Sequence, residues 1–191
     1  MDIEYEATFP NIDKDVVRKR LQEVGASLLR PEYIQKRRVY HLPVGHEING
    51  GWMRVRDEGD KIMITLKIVD GEKIENQKEI DLGVNDFETA CELVRSLGCR
   101  EKAYQVTKRE LWQLNGVEVT IDEWPFLEPF VEVEGKSEEA VKQVSQKLEF
   151  DYSQARFCAI DTLYVEKYGI TKDQINNQTP ILDFDGENPF L

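Results

Sequence analysis

Two pairs of glutamates and two rows of cations are the residues of this sequence best placed to do chemistry. Ile3-Glu4-Tyr5-Glu6-Ala7-Thr8-Phe9 alternates apolar and polar residues without a break, and Val131-Glu132-Val133-Glu134 repeats the pattern. Successive side chains of a β-strand point to opposite faces, so each segment places two carboxylates on one face. Trp52-Met53-Arg54-Val55-Arg56 does the same with two guanidinium groups, and Lys67 within Ile64-Thr65-Leu66-Lys67-Ile68 adds an ammonium. If these polar faces share one interior, it suits a divalent cation bound together with a polyphosphate. Hard cations take carboxylate oxygens, and arginine forks take phosphate oxygens.

A single Glu pair at i and i+2 is common on a solvated sheet face. Here the arrangement recurs, and Glu118 and Asp122 share a face of a further strand. Phe130, Val131 and Val133 beside the second pair require that at least one face of that strand is buried. Four enclosed carboxylates repel one another and are costly to ionise, and Mg²⁺ or Mn²⁺ would relieve them. Arg54, Arg56, Lys67 and Arg109 form the cationic side, with Arg37 or Arg38 as a fifth member.

The elements that must position these groups follow from periodicity and turn signals. Asn11 and Asp13 can cap a helix carrying Val16, Val17, Leu21 and Val24, which ends at Gly25. Strands are expected over Tyr33 to Leu42, Trp52 to Arg56, Lys61 to Val69 and Ile74 to Leu82. Asp86 starts a second helix that stops at Gly98. Strands Ala103 to Leu114 and Val117 to Trp124 pair around Asn115-Gly116, the strongest hairpin signal in the chain. Phe130 to Glu134 is the last clear strand, and helices are expected over Ser137 to Leu148 and Ala155 to Tyr168. Hairpins with helices between blocks of strands indicate an α+β fold with a mainly antiparallel sheet. About eight tilted strands can close into a barrel, which removes the exposed edges.

A chain of 191 residues is long enough for one large domain, expected over 1–175 with an irregular tail over 176–191. Charged residues make up 32% and the formal net charge is −12, which argues for a globular protein and against nucleic-acid binding through bulk charge. Cys91, Cys99 and Cys158 are odd in number and lack metal-ligand spacing, as expected in a reducing compartment. No basic leader precedes the first strand, and no apolar stretch approaches the ~18 residues of a membrane span. A cytoplasmic protein without membrane partners is the expectation.

The chain resembles the CYTH superfamily, named for class IV adenylyl cyclase and thiamine triphosphatase, whose members form an eight-stranded triphosphate tunnel. Glu4-Tyr5-Glu6-Ala7-Thr8 matches both acids of the family's ExExK signature and departs at Thr8, where the family has lysine. The likeness continues through Val24-Gly25-Ala26, Trp52 to Arg56, Thr65-Leu66-Lys67, Glu79, Lys108 to Trp112, Ile121-Asp122-Glu123 and Phe130 to Gly135. It covers about residues 1–168 in unbroken order.

The resemblance implies a closed eight-stranded antiparallel β-barrel with helices outside. It implies that Glu4, Glu6, Asp122, Glu132 and Glu134 coordinate Mg²⁺ or Mn²⁺, and that Arg37, Arg54, Arg56, Lys67 and Arg109 grip a triphosphate. Trp52 would stack on an organic moiety, Glu79 would support the cations, and Glu4, Glu6 and Arg109 would take the catalytic roles. Thr107 stands where a second lysine is frequent, so two lysine positions are vacant and the tunnel carries less positive charge. The implied activity is metal-dependent hydrolysis of a nucleoside, thiamine or inorganic triphosphate. The alternatives are a class IV-type adenylyl cyclase and a module that binds polyphosphate or nucleotide without turning it over. The family also allows a homodimer.

Overall fold

Strands with one apolar and one polar face can curl until the first meets the last, holding the polar faces inside while helices cover the apolar ones. The computed structural model describes residues 1–191 and has this arrangement. Its elements are β1 (Asp2–Ile3), β2 (Tyr5–Phe9), α1 (Lys14–Glu23), β3 (Ser27–His41), β4 (Gly51–Asp57), β5 (Ile62–Val69), β6 (Gln77–Val84) and α2 (Phe87–Ser96). Then come β7 (Arg100–Leu114), β8 (Val117–Glu123), β9 (Phe130–Gly135), α3 (Glu138–Lys147), α4 (Asp161–Tyr168), α5 (Lys172–Asn177) and β10 (Ile181–Leu182).

The strand order is β1-β6-β5-β4-β3-β7-β8-β9-β2, antiparallel throughout. Only Glu4 separates β1 from β2, so the two ends of the sheet are one N-terminal segment and the ring closes on itself. Pairing switches there from β6 to β9, and the Glu4 N–H still donates to the Gln77 carbonyl at 2.9 Å. With the split strand counted once, β3 to β9 complete the eight-stranded barrel implied by the resemblance. The break at Glu4 interrupts the pairing and not the alternation, because Glu4 and Glu6 both line the interior.

Local chemistry explains the ends of the elements. Asp13 accepts from the Asp15 and Val16 N–H groups, Asp86 from Thr89 and Ser137 from Ala140, so α1, α2 and α3 each start on a side-chain cap. Asn115 and Gly116 have φ of 54° and 79°, the two left-handed residues that a type I′ hairpin needs.

Three apolar clusters hold the helices to the barrel's outer face. The largest joins Leu21 of α1, Val141 of α3 and Leu148 at the C-terminal cap of α3 to Val119, Ile121, Val131 and Val133 of the sheet. A second sets Ala90, Cys91 and Val94 of α2 on Tyr40, Val55 and Ile64, so Cys91 and Cys99 are core thiols. Leu21 has no exposed surface, and Leu21→Ala should cost about 2–5 kcal/mol in urea unfolding while leaving the barrel interior unchanged.

The C-terminal part differs from the expectation of one helix over Ala155 to Tyr168. A single 3₁₀ turn at Tyr152–Gln154 precedes an extended stretch, and α4 begins only at Asp161. The cause is tertiary: Arg156 and Thr8 exchange both backbone hydrogen bonds at 2.9 Å, so this stretch borders β2 instead of coiling. Beyond Asn176, β10 pairs in parallel with Tyr104 and Gln105 of β7, and Leu182 is buried with Trp124, Phe130 and Tyr164. The tail is therefore irregular only in part. No helix is long and apolar enough to cross a membrane.

Candidate functional site inside the barrel

The polar strand faces enclose a cavity of about 1090 Å³ lined by both kinds of charge. Glu4, Glu6, Glu132, Glu134, Arg37, Arg54, Arg56, Lys67, Arg109 and Trp52 all reach its wall. Period-two alternation sets the parity of each strand, and register across the ladders brings the pairs together. Glu6 lies opposite Glu134, Arg37 opposite Arg56 and Trp52 opposite Lys67. Arg38 has the other parity and donates outward to Glu101 at 2.6 Å.

At one side, carboxylate oxygens of Glu4, Glu6 and Glu134 lie within 4.8 Å of one another. Lys67 Nζ is 2.6 Å from Glu4 Oε2 and 3.9 Å from Glu6 Oε1, the nearest compensating charge. The Glu4 contact lacks hydrogen-bond geometry, so that buried oxygen remains without a hydrogen-bond donor. Burial, then repulsion from Glu132, pushes the Glu6 carboxyl well above its ordinary range. Burial and Glu4 push Glu134 up to about 7, and burial with Asp122 raises Glu132. Burial pulls Lys67 down, but Glu6 and Glu4 more than offset it and hold the ammonium above its usual value. Three crowded oxygen donors, two of them on buried residues and the third half-buried, with one unsatisfied atom, fit a hard divalent cation.

Opposite stand four guanidinium groups. Arg56 Nε lies 2.7 Å from Glu58 Oε1, and Arg54 Nη2 is 3.6 Å from Glu79 Oε2. Burial, then Arg54, lowers Arg56 to about 10. Arg109 donates to Asp122 through Nε at 2.7 Å and Nη2 at 3.0 Å, and to Glu132 at 2.5 Å. Burial acts against the Arg109 charge, but Asp122 and Glu132 outweigh it and raise its pKa. Arg37 is lowered well below the arginine range by burial and by Arg56, Arg54 and Arg109.

Asp122 differs from its expected place among the metal ligands. It is fully buried, accepts from Arg109 and from Thr120 Oγ1 at 2.5 Å, and does not reach the cavity wall. A carboxylate fully engaged by a guanidinium fork has little left for a cation. Glu132 lines the cavity but is likewise tied to Arg109, apart from the close trio.

The two positions read as vacant lysines are not open berths. Thr8 is buried, its backbone is engaged by Arg156, and its side chain is not part of the wall. Thr107 is buried and accepts from Arg37. Sequence reasoning missed Glu58 and Tyr33. Glu58 follows β4 in a turn, where alternation no longer predicts direction, yet its side chain is buried against the cavity.

Residues 2–163 match the CYTH domain. The fold is similar to a conserved hypothetical protein of Pyrococcus furiosus, with 23% identity, a TM-score of 0.70, and coverage of 84% of this chain and 99% of the other. The PH1012 protein of Pyrococcus horikoshii gives 20% identity, a TM-score of 0.69, and coverage of 85% and 99%. A Hippeastrum protein, HpAC1, reported to have a dominant triphosphatase activity, gives 11% identity, a TM-score of 0.56, and coverage of 90% and 97%. No curated protein matches the chain in sequence. With most of its length matched and its strands closed around paired acids and arginines, this chain belongs to the CYTH family.

Proposed function

We propose that the barrel binds a triphosphate-bearing substrate with Mg²⁺ or Mn²⁺ and hydrolyses a terminal phosphoanhydride. The observation that carries this reading is one cavity with two opposed clusters: Glu4, Glu6 and Glu134 within 4.8 Å, and the guanidinium groups of Arg37, Arg54, Arg56 and Arg109. Glu4, Glu6 and Glu134 would hold the cation, with Glu132 at its margin. A divalent ion there would neutralise phosphate oxygens and polarise the phosphorus under attack.

The chain's own residues supply binding and alignment. Arg37, Arg54 and Arg56 hold the phosphate chain along β3 and β4, and Arg109 sits between the arginine side and Glu132. Preorganised charges of this kind stabilise the charge that shifts to the leaving oxygen when water attacks the terminal phosphorus and the bridging P–O bond breaks. Trp52 offers an aromatic face at the cavity wall to any organic group the substrate carries.

Purified protein incubated with ATP, thiamine triphosphate and inorganic tripolyphosphate, each with Mg²⁺ or Mn²⁺, tests the proposal. Release of orthophosphate supports it. Cyclic AMP with pyrophosphate would assign a cyclase instead, and bound but unchanged ligand would assign a binding module.

A further inference from the structure

Arg37 differs from Arg54, Arg56 and Arg109 in having no carboxylate partner. The others face Glu79, Glu58 and the Asp122 and Glu132 pair. Arg37 instead donates from Nη2 to two neutral oxygens, Gln35 Oε1 and Thr107 Oγ1, each at 2.6 Å. The Thr107 hydroxyl donates in turn to Gln35 Oε1 at 3.4 Å. Gln35 and Thr107 are directly opposed on β3 and β7, and Arg37 lies two residues beyond Gln35, so all three share the inward face. Gln35 and Thr107 are fully buried, and the Arg37 guanidinium lies 4.8 Å from the centroid of the Trp124 ring.

One nitrogen is thus spent on its seat. Nε is buried with no protein partner, and the side chain lines the cavity. A buried, uncompensated guanidinium is costly, and the cost is removed when an anion arrives. Neutral acceptors fix the direction of the group without cancelling its charge, which a carboxylate at either position would do. A lysine at position 107 would bring a second cation against the first. Thr107 is therefore a seat for Arg37 and not merely an absent lysine.

We propose that Thr107, together with Gln35, is a positioning residue that presents the free edge of Arg37 to a phosphate oxygen of the ligand. The inference rests on the triphosphate reading above. Its test uses imidotriphosphate, whose P–N–P bridges resist hydrolysis, titrated calorimetrically into the full chain with Mg²⁺. Thr107→Val removes the acceptor at nearly constant volume and should weaken binding by about 10-fold, the scale of one hydrogen bond to a charged group. Thr107→Ala should act in the same direction, giving a second reading if valine packs poorly, and Thr107→Ser should bind within about twofold of the wild type, because it restores the oxygen. In an Arg37→Met background, Thr107→Val should cause no further loss, since a residue acting through Arg37 has nothing left to orient.

Wild-type affinity in both the Val and Ala variants, or an equal loss with and without Arg37, would overturn the assignment. A wild type that does not bind imidotriphosphate at all would instead remove the triphosphate reading, and this inference with it.

Discussion

Arg109→Met should lower the free energy of unfolding by about 3–5 kcal/mol, the usual cost of stranding one partner of a buried ion pair. Asp122 has no exposed side-chain surface and depends on Arg109 through two hydrogen bonds at 2.7 and 3.0 Å. Without the guanidinium, Asp122 is left as a buried charge with only the Thr120 hydroxyl donating to it, which is unfavourable. The Arg109→Met, Asp122→Asn double variant should therefore recover much of the loss, because it removes both charges. Urea unfolding at fixed pH measures all three proteins. A single variant as stable as the wild type would show that Asp122 is not held as the geometry indicates. Ligand binding should remain impaired in the double variant, which separates the two duties of Arg109.

Glu6→Gln, Glu134→Gln should abolish stabilisation by Mg²⁺ or Mn²⁺. An ion that binds only the folded protein contributes about 2.7 kcal/mol at one hundred times its dissociation constant. The wild-type thermal midpoint should rise accordingly, whereas the double variant lacks two of the three clustered donors. Turnover of a triphosphate should fall by ~10³-fold, the equivalent of several kcal/mol of lost charge stabilisation. An equal metal-induced shift in both proteins would place the cation elsewhere.

The same carboxylates give the metal-free protein a distinctive pH profile. Glu134 is raised from its ordinary 4.5 to about 7, and Glu6 is raised as well. Between these values the folded chain holds protons that the unfolded chain has released, so stability falls as pH rises. The favourable contribution is complete below about 4.5 and is lost through about 7, the reverse of a salt-bridged carboxylate. Thermal midpoints of metal-free protein should decline over this window, and the decline should flatten in Glu6→Gln, Glu134→Gln. Mg²⁺ must displace these protons, so its stabilising shift should be larger at pH 8 than at pH 6.

Side-chain parity is a local property, and the sequence by itself determined it. Because the period of a strand is two, Glu4 with Glu6, Arg54 with Arg56 and Glu132 with Glu134 had to share faces wherever those strands went. Asn115-Gly116, Asp86 and Ser137 likewise marked a hairpin and two helix starts through interactions spanning only a few residues. Counter-ion choice, in contrast, depends on register between strands far apart in the chain, and only the tertiary structure decided it. Arg37 meets Thr107 across 70 residues and Arg109 meets Glu132 across 23, so no spacing rule could report either contact. Packing also drew the stretch after Ala155 out of the helix its residues allowed, because backbone hydrogen bonds to Thr8 on the β2 edge outweighed a weak local preference. Asp122 shows both limits at once. Its face was legible from alternation, but that Arg109 would cover it was fixed only when β7 and β8 paired in register, Arg109 opposite Asp122.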